Sequence, residues 1–377
     1  MTNVGIICEY NPFHNGHIHH INEIKKIYPD SNIILVMSGN FTQRGDFSLI
    51  DKWKKTEIAL NYVDLVVELP FIFAVQSADI FARAAIQILD NLNVTSIVFG
   101  TETLDVNDLN YIANIQRKDE YNELVKSYLD KGINYPTAMS KAVYFLTKID
   151  IKKPNDLLGL SYIKEIQKTN IMPITIPRTT DYNSEIIEGT ITSATSIRKL
   201  IKDNQSVESY VPRECFEHIK GHIHFKGQYF ELLKSKIISE INHLDIYLNV
   251  DEGIENRIKK FIYGSNTIEE LIDNIKTKRY TYNKINRMLL YILCGLTKDD
   301  VKNYNKLEYI RVLGFNKNGR KVLRDVKKTS HLPIITQYTN KYKMLEIEMK
   351  VSYIYYCKEK DKVNLTLMEY KHKPIIK

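Results

Sequence analysis

The chain has 377 residues, 44% of them hydrophobic, which is long enough for two packed domains, and its formal net charge of +8 permits binding to a polyanion without proving it. Its four cysteines, Cys8, Cys215, Cys294 and Cys357, are widely spaced with no CxxC pair, which argues against a disulfide framework or a cysteine zinc site and suits a reducing cytoplasm. The start, Met1-Thr2-Asn3-Val4, has no basic leader, and the longest apolar stretch, around Val63 to Val75, contains Asp64 and Glu68, so neither a secretion signal nor a membrane span is expected.

The apolar run Val4 to Cys8 predicts a buried first strand, and Glu9-Tyr10-Asn11-Pro12-Phe13-His14-Asn15-Gly16-His17 follows it into a helix over His17 to Ile27. Two imidazoles are thereby delivered to a strand-to-helix turn, where an open α/β sheet binds ligands and a helix amino end favours anions. His14 and His17, three residues apart, share one side of the helix start; Gly16 has no Cβ to block a triphosphate, and Pro12 restricts the turn. Two histidine N–H donors suit the charge that develops on the non-bridging oxygens when an α-phosphate is attacked.

Further along, Ile33 to Met37, Leu65 to Val67, Ser96 to Phe99 and Ile174 to Ile176 read as strands, with helices over Lys52 to Tyr62, Ser77 to Leu89 and Asp156 to Gln167. This alternation predicts an α/β fold, a Rossmann-like doubly wound parallel sheet. The loop Gly39 to Asp46 follows the second strand and should reach the same edge as the histidines. Arg44 is the first candidate there for holding a small carboxylate, with Asn40 beside it and Lys52 or Lys54 as alternatives; Glu68 is an orienting group or a partner for one of these cations. Leu104 to Pro154 is long for a crossover and reads as a helical insertion, a lid or part of an acceptor site. Ser193 and Thr195 suit cap and phosphate-donor roles at the start of a helix over Ser196 to Lys202.

Past about Val211 the pattern becomes mainly helical, with one small α/β piece, Tyr309 to Leu313 and Leu332 to Ile335 around a helix. The expected division is therefore 1–205, with an insertion at about 104–154, and 206–377. Two basic elements stand out in the second part. Between Lys276 and Arg287 there are five Lys or Arg residues and no acid (Lys276, Lys278, Arg279, Lys284 and Arg287), interleaved with Tyr280 and Tyr282, a mixture suited to phosphates and unstacked bases of RNA. Lys317, Lys321, Arg324 and Lys328 follow helical spacing and share a face. His218, His222 and His224 have spacings that could hold a metal but read as a surface cluster; Ala138-Met139-Ser140-Lys141 is treated as a chance likeness to a synthetase loop.

The HxGH element after a first strand resembles the nucleotidylyltransferase superfamily, and Ser193-Ala194-Thr195-Ser196-Ile197-Arg198 resembles its late SSTxIR signature, with Ala194 in place of the second serine. The wording GIICEYNPFHNGH, MSGNFTQRGD, DKWKK, VDLVVELPF, FGTE, PNDLLGLSYIK and KTKRYTYNKINRMLLYILCGLTK resembles, over nearly the whole chain, the bacterial tRNA(Met) cytidine acetate ligase family. The resemblance implies activation of acetate by ATP to acetyl-adenylate and acetyl transfer to the wobble cytidine of elongator tRNA(Met), giving N(4)-acetylcytidine. It implies catalytic roles for His14, His17 and Arg198, the last meeting the β- and γ-phosphates. It also implies an ATP site formed by Ile7, Cys8, Glu9, Tyr10, Asn11, Pro12, Phe13, Asn15, Gly16, Ile18, His19 and His20, with Gly100, Asn155 and Arg178. Gly100 lies at a strand end where adenosine could approach the backbone, Asn155 is placed to cap a helix, and Arg178 follows a short strand. Magnesium carried by ATP is the only metal expected, and the protein is expected in the cytoplasm with no membrane contact and no obligate protein partner. The alternatives are an adenylyltransferase for a small phosphorylated cofactor precursor, against which the large basic second part counts, and a tRNA-binding protein with a vestigial nucleotide site, against which the intact His14, Gly16 and His17 count.

Overall fold

β2 (Asn32–Ser38) is buried along its whole length, and its side chains alternate between two cores: Ile33, Leu35 and Met37 enter one, Ile34 and Val36 the other. It lies between β1 (Asn3–Cys8) and β3 (Leu65–Leu69), both parallel to it, and β4 (Ser96–Thr101) and β5 (Met172–Pro177) continue the parallel sheet beyond β1. The computed structural model describes residues 2–178, 189 and 191–377. The strand order β5-β4-β1-β2-β3 reverses direction at β1. The carboxyl ends of β1 and β4 therefore flank a topological switch point, the place where such sheets bind ligands.

The expected helices form as Asn15–Ile27, Lys52–Ala59, Ala78–Asn91, Pro154–Ile166 and Ala194–Lys202. The insertion is helical as expected, Val106–Ile115, Asp119–Asp130 and Tyr135–Thr147. Its Leu109, Ile112, Ala138, Ala142 and Val143 are buried with Leu160 and Ile163 in the core on one sheet face, which also places the Ala138 to Lys141 run inside a packed helix.

The sheet departs from the purely parallel expectation. β6 (Ile310–Phe315) pairs antiparallel with β3, and β7 (Ile334–Ile335) and β8 (Ile375–Ile376) pair with β6, making eight strands in one sheet among the described residues. The strands anticipated as a separate small α/β piece around the Lys317–Val326 helix thus extend the main sheet. The reason is the edge of β3: a strand buried on both faces would otherwise present a row of unpaired backbone groups. The rest of the second half is mainly helical, as expected, and among the described residues no helix is long and apolar enough to cross a membrane.

Candidate active site

Beyond Cys8 the chain passes through Tyr10 at φ 49° and a cis Asn11–Pro12 peptide before the helix begins. Asn11 ties the turn to the following loop, since Oδ1 accepts from Leu49 N at 2.8 Å and Nδ2 donates to Phe47 O at 3.3 Å. His14 occupies the N-cap of the Asn15–Ile27 helix. Its Nδ1 accepts from Gly16 N at 3.1 Å, and its own backbone N–H donates to His17 Nδ1 at 3.1 Å, a reciprocal capping box made by two imidazoles. Because both Nδ1 atoms accept, each neutral ring must carry its hydrogen on Nε2. The cap therefore fixes both tautomers and leaves two N–H donors side by side, with ring centroids 3.8 Å apart.

Both rings are held neutral. Burial, then the charges of Arg178 and Arg198, lowers the His14 pKa from 6.5 to about 3; burial, then His14 and Arg178, lowers that of His17 well below its ordinary value. Tyr10 and Phe13 pack edge-on and tilted against His17, at centroid distances of 4.6 and 5.5 Å. Gly16 has a more specific duty than leaving room for a triphosphate: a Cβ there would lie 2.8 Å from His14 Cε1, so glycine admits the capping imidazole itself.

The late helix meets this turn. Ser193 caps the Ala194–Lys202 helix through Oγ, which accepts from Ser196 N at 3.1 Å. Arg198 donates through Nη1 to Asn11 O at 2.7 Å and through Nη2 to Thr195 Oγ1 at 3.1 Å, bridging the first and last motifs across 187 residues. Arg178 lies over the end of β4, where a Cβ on Gly100 would come within 3.1 Å of its Cγ. The missing side chain of Gly100 thus makes room for the arginine stem. Arg178 Nε, His20 Nε2 and Thr192 Oγ1 are buried without a hydrogen-bond partner among the described residues, and they lie in or beside the segments that meet here.

Asn155 does not cap its helix, because the N-cap position belongs to Lys153. Its backbone N and Nδ2 both donate to Glu102 Oε1, at 3.1 and 2.5 Å, which ties the helix start to the exit of β4. Asp156, not singled out from sequence, completes that tie by accepting from Glu102 N at 2.7 Å and Thr103 Oγ1 at 2.5 Å.

The expected acceptor loop divides. Asn40 is buried and committed to packing: Oδ1 accepts from Lys52 N at 2.9 Å and Nδ2 donates to Ser352 Oγ at 3.4 Å. The Asn40 side chain is therefore spent on the fold. Lys54 pairs with Asp51 at 3.3 Å on a partly exposed helix face. Arg44 remains beside the turn, close to the half-buried Glu9, whose carboxyl pKa is raised by desolvation against the opposing charge of Arg44 and whose Oε1 accepts from Gln43 N at 2.5 Å. Lys52 and Glu68 belong to a buried four-charge network, with Lys52 Nζ 2.7 Å from Glu68 and 2.5 Å from Glu369, and Arg311 3.2 and 2.6 Å from the same two carboxylates. Lys55, missed from sequence, donates to the carbonyls of Glu9, Ser38 and Gly39 at 2.9, 2.8 and 2.7 Å, holding the carboxyl ends of β1 and β2 together.

The two basic elements lie at opposite edges of the sheet. Lys276, Lys278 and Arg279 are exposed, while Lys284 sits 4.2 Å from the ring centre of Tyr280. Tyr280 itself is 4% exposed and donates to Asp251 O, so it is a core residue and not a stacking platform. Arg287 is half-buried against the Gly39 to Asp46 loop: Gly45, at φ 86°, would place a Cβ 2.8 Å from Arg287 Cα, and Asn286 Nδ2 donates to Arg44 O at 2.8 Å. Lys317, Lys321 and Arg324 are exposed, opposite the buried Val322 and Val326, on a helix fastened through Asn316 to Asp64 at the amino-terminal edge.

A Rossmann-type sheet with an imidazole-capped turn at its switch point and a late arginine closing on that turn defines a nucleotidyl transferase class of site. A family model described as HIGH Nucleotidyl Transferase matches residues 1–369. A tRNA(Met) cytidine acetate ligase of Clostridium novyi is 36% identical over 94% of this chain and 95% of its own length, and one of Geobacillus sp. is 39% identical over the full length of both. The crystal structure of Thermotoga maritima TmcAL has a TM-score of 0.91 and 29% identity, covering 100% of this chain and 99% of that one; a second form, bound with alpha-thio ATP, has a TM-score of 0.89 at the same identity and coverage. The chain belongs to the tRNA(Met) cytidine acetate ligase family of HIGH nucleotidyl transferases.

Proposed function

We propose that this chain activates acetate with ATP and transfers the acetyl group to the wobble cytidine of elongator tRNA(Met), forming N(4)-acetylcytidine. The observation that carries the first step is the mutual cap of His14 and His17, which presents two neutral Nε2–H donors at the switch point. An acetate oxygen attacks the α-phosphorus, the bond to the β-phosphate oxygen breaks, and pyrophosphate leaves. The imidazoles stabilise the charge on the α-phosphate, while Arg198 and Thr195 hold the leaving phosphates. A carboxylate nucleophile needs no general base. In the second step the cytidine amine attacks the acetyl carbonyl, the carbon–oxygen bond to AMP breaks, and the amine loses a proton.

Magnesium enters with ATP. The donors at the turn are imidazole, guanidinium and hydroxyl, which suit phosphate oxygens, so phosphate and water supply the ion's ligands. Residues 206–377 carry the tRNA-binding role through Lys276, Lys278 and Arg279, next to the segment that braces the Arg44 loop. Arg44 is retained as the acetate partner. A tRNA substrate is consistent with a cytoplasmic enzyme.

Incubation with ATP, labelled acetate and tRNA(Met) tests this reading: label on the wobble cytidine and release of AMP and pyrophosphate are expected. Pyrophosphate release with a phosphorylated cofactor precursor but not with acetate would instead assign a small-molecule adenylyltransferase, and tRNA binding without any pyrophosphate release would leave only an RNA-binding role.

A further inference from the structure

The histidines set aside as a surface cluster acquire an acidic partner from far along the chain. His224 is buried, and its ring lies between two oxygen atoms: Nδ1 is 2.6 Å from the Tyr229 hydroxyl and Nε2 is 2.9 Å from Glu359 Oε1, 135 residues away. The Tyr229 hydroxyl has one hydrogen, and it is donated to Tyr355 O at 2.5 Å. Its oxygen can therefore only accept from the ring, so Nδ1 carries the hydrogen and the neutral imidazole has its lone pair on Nε2. That lone pair points at a carboxylate oxygen, which has no hydrogen to give. Two acceptors at 2.9 Å require a positive centre between or beside them.

A proton shared between His224 Nε2 and Glu359 Oε1 is one such centre. The geometry offers another. His222 Nδ1 lies 3.9 Å from Glu359 Oε2, and one ligand atom from each of His222, His224 and Glu359 falls within 4.8 Å of the others. Two imidazoles and a carboxylate form a donor set for a borderline-soft divalent ion. The Tyr229 hydrogen bond is the outer bond that orients a metal-binding imidazole and fixes its tautomer. His222 is exposed, so the ion has an entry path and a side open to water.

We propose that His222, His224 and Glu359 bind one divalent transition-metal ion, with zinc as the first choice. The ion fastens the segment after the Arg213–Ile219 helix to the turn that follows the Lys343–Tyr356 helix. The same segment supports the site: His224 N donates to Leu49 O at 3.0 Å, Tyr355 donates to Ser48 O at 2.8 Å, and Leu49 N donates to Asn11 Oδ1 at 2.8 Å. The clamp is structural and takes no part in phosphoryl chemistry.

The test uses tag-free, full-length protein stripped with a chelator and titrated with Co2+ and then Zn2+. One Co2+ per chain, with visible d–d bands displaced by Zn2+, is expected, along with a higher thermal midpoint in Zn2+. His222→Ala, at an exposed position that leaves the core intact, and Glu359→Gln should each weaken binding by about tenfold or more and abolish the thermal shift. Absence of saturable binding, or equal affinity in wild type and His222→Ala, overturns the proposal and assigns a proton-bridged His224–Glu359 pair.

Discussion

His14 and His17 cap one helix by exchanging roles: the backbone of His14 donates to the ring of His17 at 3.1 Å, while the ring of His14 takes the N–H of Gly16 at the same distance. Helix capping and tautomer selection are thus one interaction. The arrangement uses each imidazole structurally at Nδ1 and leaves its hydrogen on Nε2.

Replacing His14 should distinguish the cap from the Nε2–H donor. His14→Ala removes the cap, costing roughly 1 kcal/mol of stability, and one phosphate donor, which should slow acetate-dependent pyrophosphate exchange about 10²–10³-fold. In His14→Asn the shorter side chain can still cap, so stability returns but exchange does not. tRNA affinity, measured by filter binding, stays at the wild-type value in both. Recovery of exchange in His14→Asn would reduce the residue to a cap.

The pH dependence has a defined sign. His14 binds its proton near pH 3 when folded, against an ordinary value of 6.5, because burial and then Arg178 and Arg198 oppose the cation. Between those values the unfolded chain holds more protons, so stability falls as pH drops through this window. Urea midpoints should decline from about pH 6.5 downward. The adenylation rate of the native enzyme should show no inflection at the ordinary histidine pKa.

Arg198 joins Asn11 to Thr195 with two separate guanidinium nitrogens, and lysine cannot keep both hydrogen bonds. Arg198→Lys should reduce kcat/KM for ATP by about 10–100-fold, corresponding to roughly 1.5–3 kcal/mol for removal of a charged hydrogen bond. Thr195→Ala should cost less, because it removes a neutral hydroxyl.

Glu369 neutralises Lys52 and Arg311 in the core; although burial opposes its ionisation, these two cations lower its pKa to about 2. Glu369→Gln leaves an uncompensated positive charge and should destabilise the fold by roughly 3–5 kcal/mol, read as a shift in the urea midpoint. An unchanged midpoint would mean that the network is not holding β6 and the Lys362–Lys371 helix to the sheet.

Lys278→Ala combined with Arg279→Ala should lower tRNA affinity and flatten its salt dependence by about one unit of slope for each phosphate no longer neutralised, with acetyl-adenylate formation unchanged. Lys321→Ala with Arg324→Ala should have the smaller effect on acetylation, because that helix is fastened at the edge of the sheet remote from the histidines.

The first half of the fold was legible because it is written locally. Strands buried on both faces are continuous apolar runs, the helices between them are periodic, and HxGH sits where strand changes to helix. The antiparallel addition of β6 was not legible: an edge strand and a central strand with the same apolar pattern differ only in what lies beside them. Tyr280 shows the same limit, since an aromatic among lysines reads as an RNA platform until its hydroxyl is seen donating to Asp251 O in the core.

By itself the sequence determined the strand–helix alternation, the HxGH and late Ser193 to Arg198 motifs and, through its resemblance, the family, because each depends on residues close together in the chain. Tertiary structure decided which nitrogen of each histidine is available, that Arg198 reaches Asn11, that Asn40 is committed to packing, and that Glu359 faces His224. These are meetings of side chains held on different elements, and packing alone sets their distances and their protons.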